Sequence, residues 1–600
     1  MGMLSNLLKE LHYIRTVKRL LASVKDIDAD STFLVPDELE RAVDRFSGNV
    51  AFIAGERRWS YKEFDAYANQ VAHWALSEGC TAGDTVAVFV RNRLEYVALW
   101  FGLSKIGIIP ALINYQLRAK ALAHCINISD AKFVIVDHEL IAEWSSAKPF
   151  IEGDVKGFSA FGGVDPKVDM ADFDALIGTQ MLTRPDRSHR AGGIGKDTFM
   201  KMFTSGTTGL PKAAKIAHTR GQYYLRGFAV PAKAGPKDRV MMVLPLYHAT
   251  GGLCGVGMAL TKGGAVIVSP KFSVTHFWDE VVAGGATMIM YVGELCRFLL
   301  NADPHPKERA HNVRCIVGNG LGKSVWEDFV ERFGIEHVVE FYGATEGNIS
   351  LMNFEGPPGA VGRIPEYMRA KVNGDLIRYD VETGTHIKGP DGFYMRTAVG
   401  EIGELIGEIR PGETRFRYDG YENKKASDKK VLHNVMKKGD MWFRTGDLLW
   451  RDEKGYYYFA DRIGDTYRWK AENVSTGEVA AALAAYDGVH QANVYGVTVP
   501  GYDGRAGMAS LVADQDLDLA KLHAHICDAL PNYARPVFLR ISPETETTST
   551  FKYKKTNLVK DGFDPALVND ALFVNHPDKK TYVKLGKVLF KKIHNGDLKL

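Results

Sequence analysis

The run Phe203-Thr204-Ser205-Gly206-Thr207-Thr208-Gly209-Leu210-Pro211-Lys212 constrains this chain more than any other stretch. It places two glycines, four hydroxyl residues and a lysine within ten positions. Glycine lets a backbone approach a ligand closely and adopt positive φ. Successive N–H groups in such a turn form a concave anion nest, hydroxyls add donors, and a lysine adds a mobile charge suited to a polyphosphate. A polar surface turn is the plain alternative for a Gly/Ser/Thr cluster. The donor density and the closing lysine favour phosphate binding instead. The G-x-x-x-x-G-K-[ST] spacing is absent, so this is a different kind of phosphate loop. The rest of the chain reads as machinery around a nucleotide held here.

At 600 residues the chain is too long for one compact core, and at least two domains are expected. With 46% hydrophobic and 24% charged residues it is neither disordered nor fibrous. A net charge of +3 gives no ground for nucleic-acid binding. Six cysteines (Cys80, Cys125, Cys254, Cys296, Cys315 and Cys527) lack zinc-ligand or redox spacing, as expected of reduced thiols in a cytosolic protein. No apolar window reaches the ~18 residues of a spanning helix. Lys9, Glu10 and His12 interrupt the one candidate signal segment.

Residues 3–25 read as a helix with Leu4, Leu7, Leu8, Leu11 and Ile14 toward one face and Lys9, Arg15, Lys18, Arg19 and Lys25 among its polar positions. Such a helix suits an anionic membrane surface or packs on its own domain, and the pattern leaves both open. From 50 to 140 strand and helix periods alternate: Trp59-Ser60-Tyr61 precedes an amphipathic run, 85–90 and 133–136 are short apolar strands, and 96–103 is helical. This alternation predicts an α/β sheet. Residues 150–200, rich in Gly, Asp and Pro, read as an irregular excursion. Further strands are expected at 240–244, 265–268, 287–291 and 315–317.

Three more clusters carry chemistry. Gly318-Asn319-Gly320-Leu321-Gly322-Lys323-Ser324 ends like a phosphate loop but lacks the first glycine, and is a glycine-rich strand exit. Tyr342-Gly343-Ala344-Thr345-Glu346-Gly347 combines a stacking aromatic, a hydroxyl and a carboxylate suited to Mg²⁺ beside phosphates. Phe443-Arg444-Thr445-Gly446-Asp447 and Asp461-Arg462-Ile463-Gly464-Asp465 offer an acid for ribose hydroxyls and an arginine to bridge sugar and phosphate. Two charged hairpin turns would look the same. Gly464 is a natural hinge, and Lys552 sits in a polar loop beside Lys554 and Lys555.

In this order, the 204–212 loop, 342–346, 445–447, Arg462 and Lys552 resemble the core motifs of the adenylate-forming enzymes, over roughly 45–590. Tyr247-His248-Ala249-Thr250-Gly251-Gly252, Gly293-Glu294-Leu295-Cys296-Arg297, Asp465-Thr466-Tyr467-Arg468-Trp469-Lys470 and Thr550-Phe551-Lys552 resemble the fatty-acid transport protein/very-long-chain acyl-CoA synthetase branch. The resemblance implies an α/β fold with a basic N-terminal segment (1–44), a large adenylation domain of α/β subdomains (45–463) and a small mobile α+β domain (464–600). It implies that a fatty carboxylate attacks the α-phosphorus of ATP, expels pyrophosphate, and passes as its adenylate to coenzyme A.

By the same resemblance Thr204, Ser205, Gly206, Thr207, Thr208, Gly209 and Lys212 hold the β- and γ-phosphates. Glu346 ligates Mg²⁺ and Thr345 meets the α-phosphate. Tyr342, with Gly343 and Ala344, stacks on adenine opposite Gly318, Asn319 and Gly320. Asp447 holds the ribose and Arg462 orients it. Lys552 reaches in from the small domain, which then rotates for the thioester step. His248, Tyr291 and Val292 border the acyl pocket. Ala471 lines the pantetheine path, where the family usually has glycine, and Ser549 replaces a glycine in the lysine loop.

The expected activity is a long- or very-long-chain fatty acyl-CoA synthetase, cytoplasmic and peripheral on the cytoplasmic face of a membrane. The basic helix and a lysine-rich tail (Lys579, Lys580, Lys584, Lys587, Lys591, Lys592) suit capture of an acid from an anionic leaflet. An acyl-AMP ligase, a ligase for bulky bile-acid-type carboxylates, and a non-enzymatic fatty-acid binding or transport protein are the alternatives. Homo-oligomerisation is left open.

Overall fold

The computed structural model describes residues 3–164, 168–204, 210–381, 383–470, 472–502, 504–547 and 553–600. Packing divides the chain into two compact units. The first comprises Met1–Arg363, Glu408–Leu432 and Met441–Phe443, and the second Ile364–Gly407, His433–Asp440 and Arg444–Leu600. The 463/464 boundary drawn from sequence lies inside the second unit.

Among the described residues the first unit holds two large sheets. One has eight strands, in the order Ser350–Asn353, His337–Gly343, Cys315–Asn319, Met288–Val292, Arg239–Met242, Ala265–Val268, Val50–Ala54 and Arg57–Ser60. Its six inner strands pair in parallel, as helices alternating with short apolar strands require. The other sheet has seven strands and ends on the antiparallel pair Thr198–Thr204 and Lys212–Ala217. Expected strands appear as Thr85–Phe89, Ala131–Asp137, Arg239–Met242, Ala265–Val268, Met288–Val292 and Cys315–Asn319. The helix after Trp59 starts where its chemistry dictates. Ser60 Oγ accepts from Glu63 N–H at 3.2 Å, and Glu63 Oε2 accepts from Ser60 N–H at 2.7 Å, a reciprocal cap for Tyr61–Ser77.

Two expectations are corrected. Residues 150–200 are not wholly irregular: Lys156–Ala160 is a buried strand parallel to Ala131–Asp137. Its glycine masks the pattern, yet Gly157 is where the strand packs under Trp144, with a Cβ meeting that ring at 3.0 Å. The lysines at 579–592 are not a loose tail. They lie around the Thr581–Lys584 strand and on the Lys587–His594 helix, anchored by buried Tyr582 and Ile593.

The second unit supplies most of a sheet with Tyr456–Arg462, Met441–Arg451, Gly403–Glu408, Gly374–Asp380 and Thr385–His386 as successive neighbours. A five-stranded mixed sheet follows, running from Val489–Val497 to Thr581–Lys584. Its core includes Tyr495, Met508, Leu511, Phe538 and Val574.

The first helix, Met3–Ser23, docks on the first unit through Tyr13. Tyr13 stacks on Phe354 at 5.4 Å and donates to Arg363 O at 3.0 Å, while Glu10 pairs with Arg363 at 2.8 Å. Leu8 and Leu11 stay exposed, so these two leucines are not on the docked face. No helix among the described residues is long and apolar enough to cross a membrane.

Candidate active site

Thr204 and Lys212 face each other as the last paired residues of two antiparallel strands, so the run singled out in the sequence connects them. Ser205, Gly206, Thr207, Thr208 and Gly209 lie outside the described residues. The free edge of the Lys212–Ala217 strand receives a segment that sequence reading did not single out. Ala214 bridges Tyr421, Lys215 N–H donates to Gly420 O at 3.1 Å, and Glu422 N–H donates to Ala213 O at 3.0 Å. This pairing brings the Tyr421 ring within 5.6 Å of Lys212 Nζ and its hydroxyl near Thr204. Tyr421 Oη donates to Glu346 Oε1 at 2.6 Å. Burial and the Glu346 carboxylate push the Tyr421 phenol well above its ordinary pKa, so it stays a neutral donor. Thr204, Lys212 and Glu346 thus converge on one tyrosine.

The turn carrying Thr345 and Glu346 is held from beneath. Tyr224 and Arg220, one turn apart on the His218–Gly227 helix, reach Thr345 O (3.2 Å) and Gly347 O respectively. Arg220 also bonds Arg417 O at 3.2 Å and pairs with Asp419 at 3.3 Å. Burial works against the charged guanidinium, but Tyr224 and Asp419 outweigh it and raise its pKa. Tyr342 is half-buried at the end of the His337–Gly343 strand, with Gly343 exposed and Ala344 leading into the turn. Glu346 is a single carboxylate: no group of three or more His, Cys, Asp or Glu among the described residues could hold a metal by itself. Such a carboxylate fits a hard cation that takes its other oxygens from phosphates and water.

Gly318 and Asn319 end one strand and Gly320 turns out of it with φ +84°. On the neighbouring strand Tyr291 is fully buried, and Val292 is half-exposed at the end. His248 is half-buried and its ring lies 4.5 Å from that of Tyr247. It leads into a π-helical turn, Thr250–Gly255. Gly252 permits that turn, since a Cβ there would fall 1.9 Å from Leu246 O. Widened helical turns of this kind concentrate at functional sites.

In the second unit Asp447 and Arg462 stand directly opposite on antiparallel strands, with Arg462 Nε 3.4 Å from Asp447 Oδ1. Beneath them lies Glu404, fully buried, another residue sequence reading passed over. Its Oε1 accepts from Gly446 N–H at 2.9 Å, and His386 (2.5 Å) and Arg444 (3.1 Å) meet Oε2. Burial favours the neutral acid, but His386 and Arg444 prevail and hold the Glu404 pKa below the usual value. Thr445 Oγ1 donates to Leu405 O at 2.7 Å and accepts from Asp447 N–H at 3.1 Å, fixing the turn. Further along, Lys555 Nζ reaches Asp465 (3.0 Å) and Thr476 Oγ1 (3.1 Å). Gly464 has φ +96° and open space around it. Ala471, Ser549 and Lys552 lie outside the described residues.

Residues 39–402 match the family model for AMP-binding enzymes, and 478–552 match that for the AMP-binding enzyme C-terminal domain. The chain belongs to the adenylate-forming AMP-binding enzymes. It is 38% identical over 576 residues to long-chain fatty acid transport protein 6 of Mus musculus, covering 94% of this chain and 92% of that one. It is 39% identical over 555 residues to long-chain fatty acid transport protein 2 of Rattus norvegicus, covering 90% and 87%. These matches put it on the fatty-acid transport protein/acyl-CoA synthetase branch of the family.

The anthranilate CoA ligase AuaEII, solved with anthranoyl-AMP, shares the fold at a TM-score of 0.76 and 21% identity, over 89% of this chain and 98% of that one. The fatty acyl CoA synthetase of Mycobacterium tuberculosis does so at 0.60 and 21%, over 88% and 98%.

Proposed function

We propose that the enzyme activates long- or very-long-chain fatty acids, taking the acid, ATP and coenzyme A to acyl-CoA, AMP and pyrophosphate. The observation that carries the nucleotide half of this reading is the convergence of Thr204, Lys212 and Glu346 on Tyr421. A loop with dense donors, a lysine and a lone carboxylate at one place suits a metal-bound triphosphate. The substrate class follows the transport-protein relatives and the fatty acyl CoA synthetase fold neighbour.

In this reading the 204–212 loop, Lys212 included, cradles the β- and γ-phosphates. Glu346 holds Mg²⁺, which supplies neutralising charge where two anions must meet. Thr345 contacts the α-phosphate. Tyr342, Gly343 and Ala344 line one side of adenine, and Gly318, Asn319 and Gly320 the other. Asp447 accepts from the ribose hydroxyls and Arg462 fixes Asp447 and the sugar. His248 and Val292 border the acyl chain, with Tyr291 backing that wall. Lys552 neutralises charge between carboxylate and α-phosphate during adenylation, and positioning and charge supply most of the rate.

The segment beyond the unobstructed Gly464 then turns to the thioester step, with Ala471 along the pantetheine path. The exposed Leu8 and Leu11 beside Lys9 and Arg15 support contact with an anionic membrane surface.

The decisive experiment measures AMP and pyrophosphate release across saturated acids from C8 to C24, with and without coenzyme A. Stoichiometric acyl-CoA with a preference for long chains is expected. Pyrophosphate release that ignores coenzyme A would replace this reading with an acyl-AMP ligase.

A further inference from the structure

Tyr291, Gly318 and Glu340 lie in one row across three adjacent parallel strands: Tyr291 pairs with Gly318, and Gly318 with Glu340. Residues paired in this way project to the same face of a sheet. The middle position has no side chain, and the Tyr291 ring covers it. A Cβ on Gly318 would lie 2.7 Å from Tyr291 Cγ and 2.1 Å from Tyr291 O. The phenol therefore reaches past its neighbour and donates to Glu340 Oε2 on the strand beyond. The other oxygen, Oε1, accepts from Gly320 N–H at 2.5 Å and Leu321 N–H at 3.2 Å, the two amides that turn the chain out of the middle strand. That turn abuts the end of the first strand, since a Cβ on Gly293 would fall 1.8 Å from Gly320 O. Both Tyr291 and Glu340 are almost wholly inaccessible, at 0% and 1%.

Val338 and Val339 precede Glu340, and a leucine would fill the same space without the cost of burying a carboxyl. What an apolar residue cannot do is bind three donors from two other strands at fixed angles. Satisfied buried polar networks of this kind select one arrangement of the segments they join. Two residues after Glu340 the same strand delivers Tyr342.

We propose that Glu340 is a positioning residue that locks the Tyr291–Val292 wall, the Gly318–Leu321 turn and the Tyr342 strand end into one rigid piece, so that the acyl and adenine subsites keep a fixed spacing. This rests on the reading above that assigns acyl chain and adenine to those segments. Burial pushes the Glu340 carboxyl up to about 8, against the pull of Tyr291 and the two amides, so a neutral isostere is a fair substitute near neutrality.

The test compares Glu340→Gln, Glu340→Met and Tyr291→Phe with the native enzyme. It uses separate KM values for ATP and fatty acid from pyrophosphate release, ATP Kd by calorimetry, and melting curves for folding. Glu340→Met is expected to raise the KM and Kd for ATP about tenfold and to raise the KM for the acid as well. Glu340→Gln keeps an oxygen for the two amides and sets its N–H toward the phenol oxygen, the place taken by the O–H of the neutral carboxyl near neutrality, and is expected to stay within about threefold of the native ATP values. Tyr291→Phe leaves the amide bonds in place and is expected to raise the acid KM while sparing that for ATP.

Equal ATP Kd values in folded Glu340→Met, Glu340→Gln and native protein would overturn the proposal, as would Glu340→Gln being as impaired as Glu340→Met. If Glu340→Met does not fold, the other two variants decide: a Tyr291→Phe effect equal on both substrates overturns it, and an effect on the acid alone supports it. Should the native chain bind ATP yet adenylate no fatty acid, the proposed function falls, and the Kd series still decides the role of Glu340.

Discussion

Tyr421 Oη donates to Glu346 Oε1 at 2.6 Å, joining residues 75 positions apart in the chain. The Lys212 ammonium lies 5.6 Å from the same ring and Lys212 pairs with Thr204, so one phenol orients the carboxylate proposed for the metal beside the ends of the proposed phosphate loop. Tyr421→Phe keeps the ring and frees the carboxylate. Half-maximal pyrophosphate release is expected to need about tenfold more Mg²⁺, the worth of one hydrogen bond to a charged group. A magnesium titration that overlays the native curve would detach Tyr421 from the metal site.

Asp447 is held by its own turn, by Arg462 across the ladder, and by Glu404 beneath Gly446. A rigid acceptor of this kind discriminates ribose hydroxyls because its own lone pairs go unsatisfied when a hydroxyl is missing. Asp447→Asn is expected to raise the KM for ATP about tenfold and to shrink the preference for ATP over its 2′- and 3′-deoxy analogues. Unchanged ratios for both analogues would rule out the ribose assignment.

His218 Nδ1 accepts from Val35 N–H at 3.3 Å, which only a neutral imidazole can do. Burial lowers its pKa to about 3, with Arg190 adding to the effect and Asp37 opposing it. Between that value and the ordinary 6.5 the unfolded chain binds the extra proton. The contribution to stability is therefore complete above pH ~6.5 and declines as pH falls toward ~3, by at most about 1.4 kcal/mol per pH unit. His218→Gln supplies a neutral acceptor, and its melting temperature is expected to fall less steeply than the native one between pH 6.5 and 4. Parallel curves would contradict this.

The first helix docks through Tyr13, with Leu8 and Leu11 exposed. Leu8→Asp with Leu11→Asp is expected to leave melting temperature and turnover of detergent-dispersed acid unchanged. Co-sedimentation with phosphatidylserine-containing vesicles should drop several-fold, as lost apolar insertion requires. Equal sedimentation would assign those leucines no role at a lipid surface.

Much of this enzyme was legible before folding because its chemistry is written in contiguous residues. The loop from Thr204 to Lys212, the run from Tyr342 to Glu346, and the Thr445-Gly446-Asp447 turn each carry their donors, acceptors and glycines in a fixed local order. Short apolar strands alternating with helices likewise announce a parallel sheet, since burial on both faces demands them. Two polar anomalies were visible but unread: Glu340 after Val338-Val339, and Glu404 before Leu405-Ile406. A carboxylate inside an apolar strand costs too much to be idle, yet its partners cannot be read from the line of residues. Tyr421 gave no such signal, because a tyrosine near a turn is unremarkable.

Sequence by itself thus determined the α/β class and the family, and it marked out the motifs proposed to bind nucleotide, since these depend on residue type and local spacing. Only the tertiary structure decided that Tyr421 joins Glu346 to the loop ends, that Glu340 ties three strands together, and that Glu404 underlies the Asp447 turn. Each of these is a hydrogen bond between segments far apart in the chain, and its direction and length exist only once the sheets have set the register of the strands that carry it.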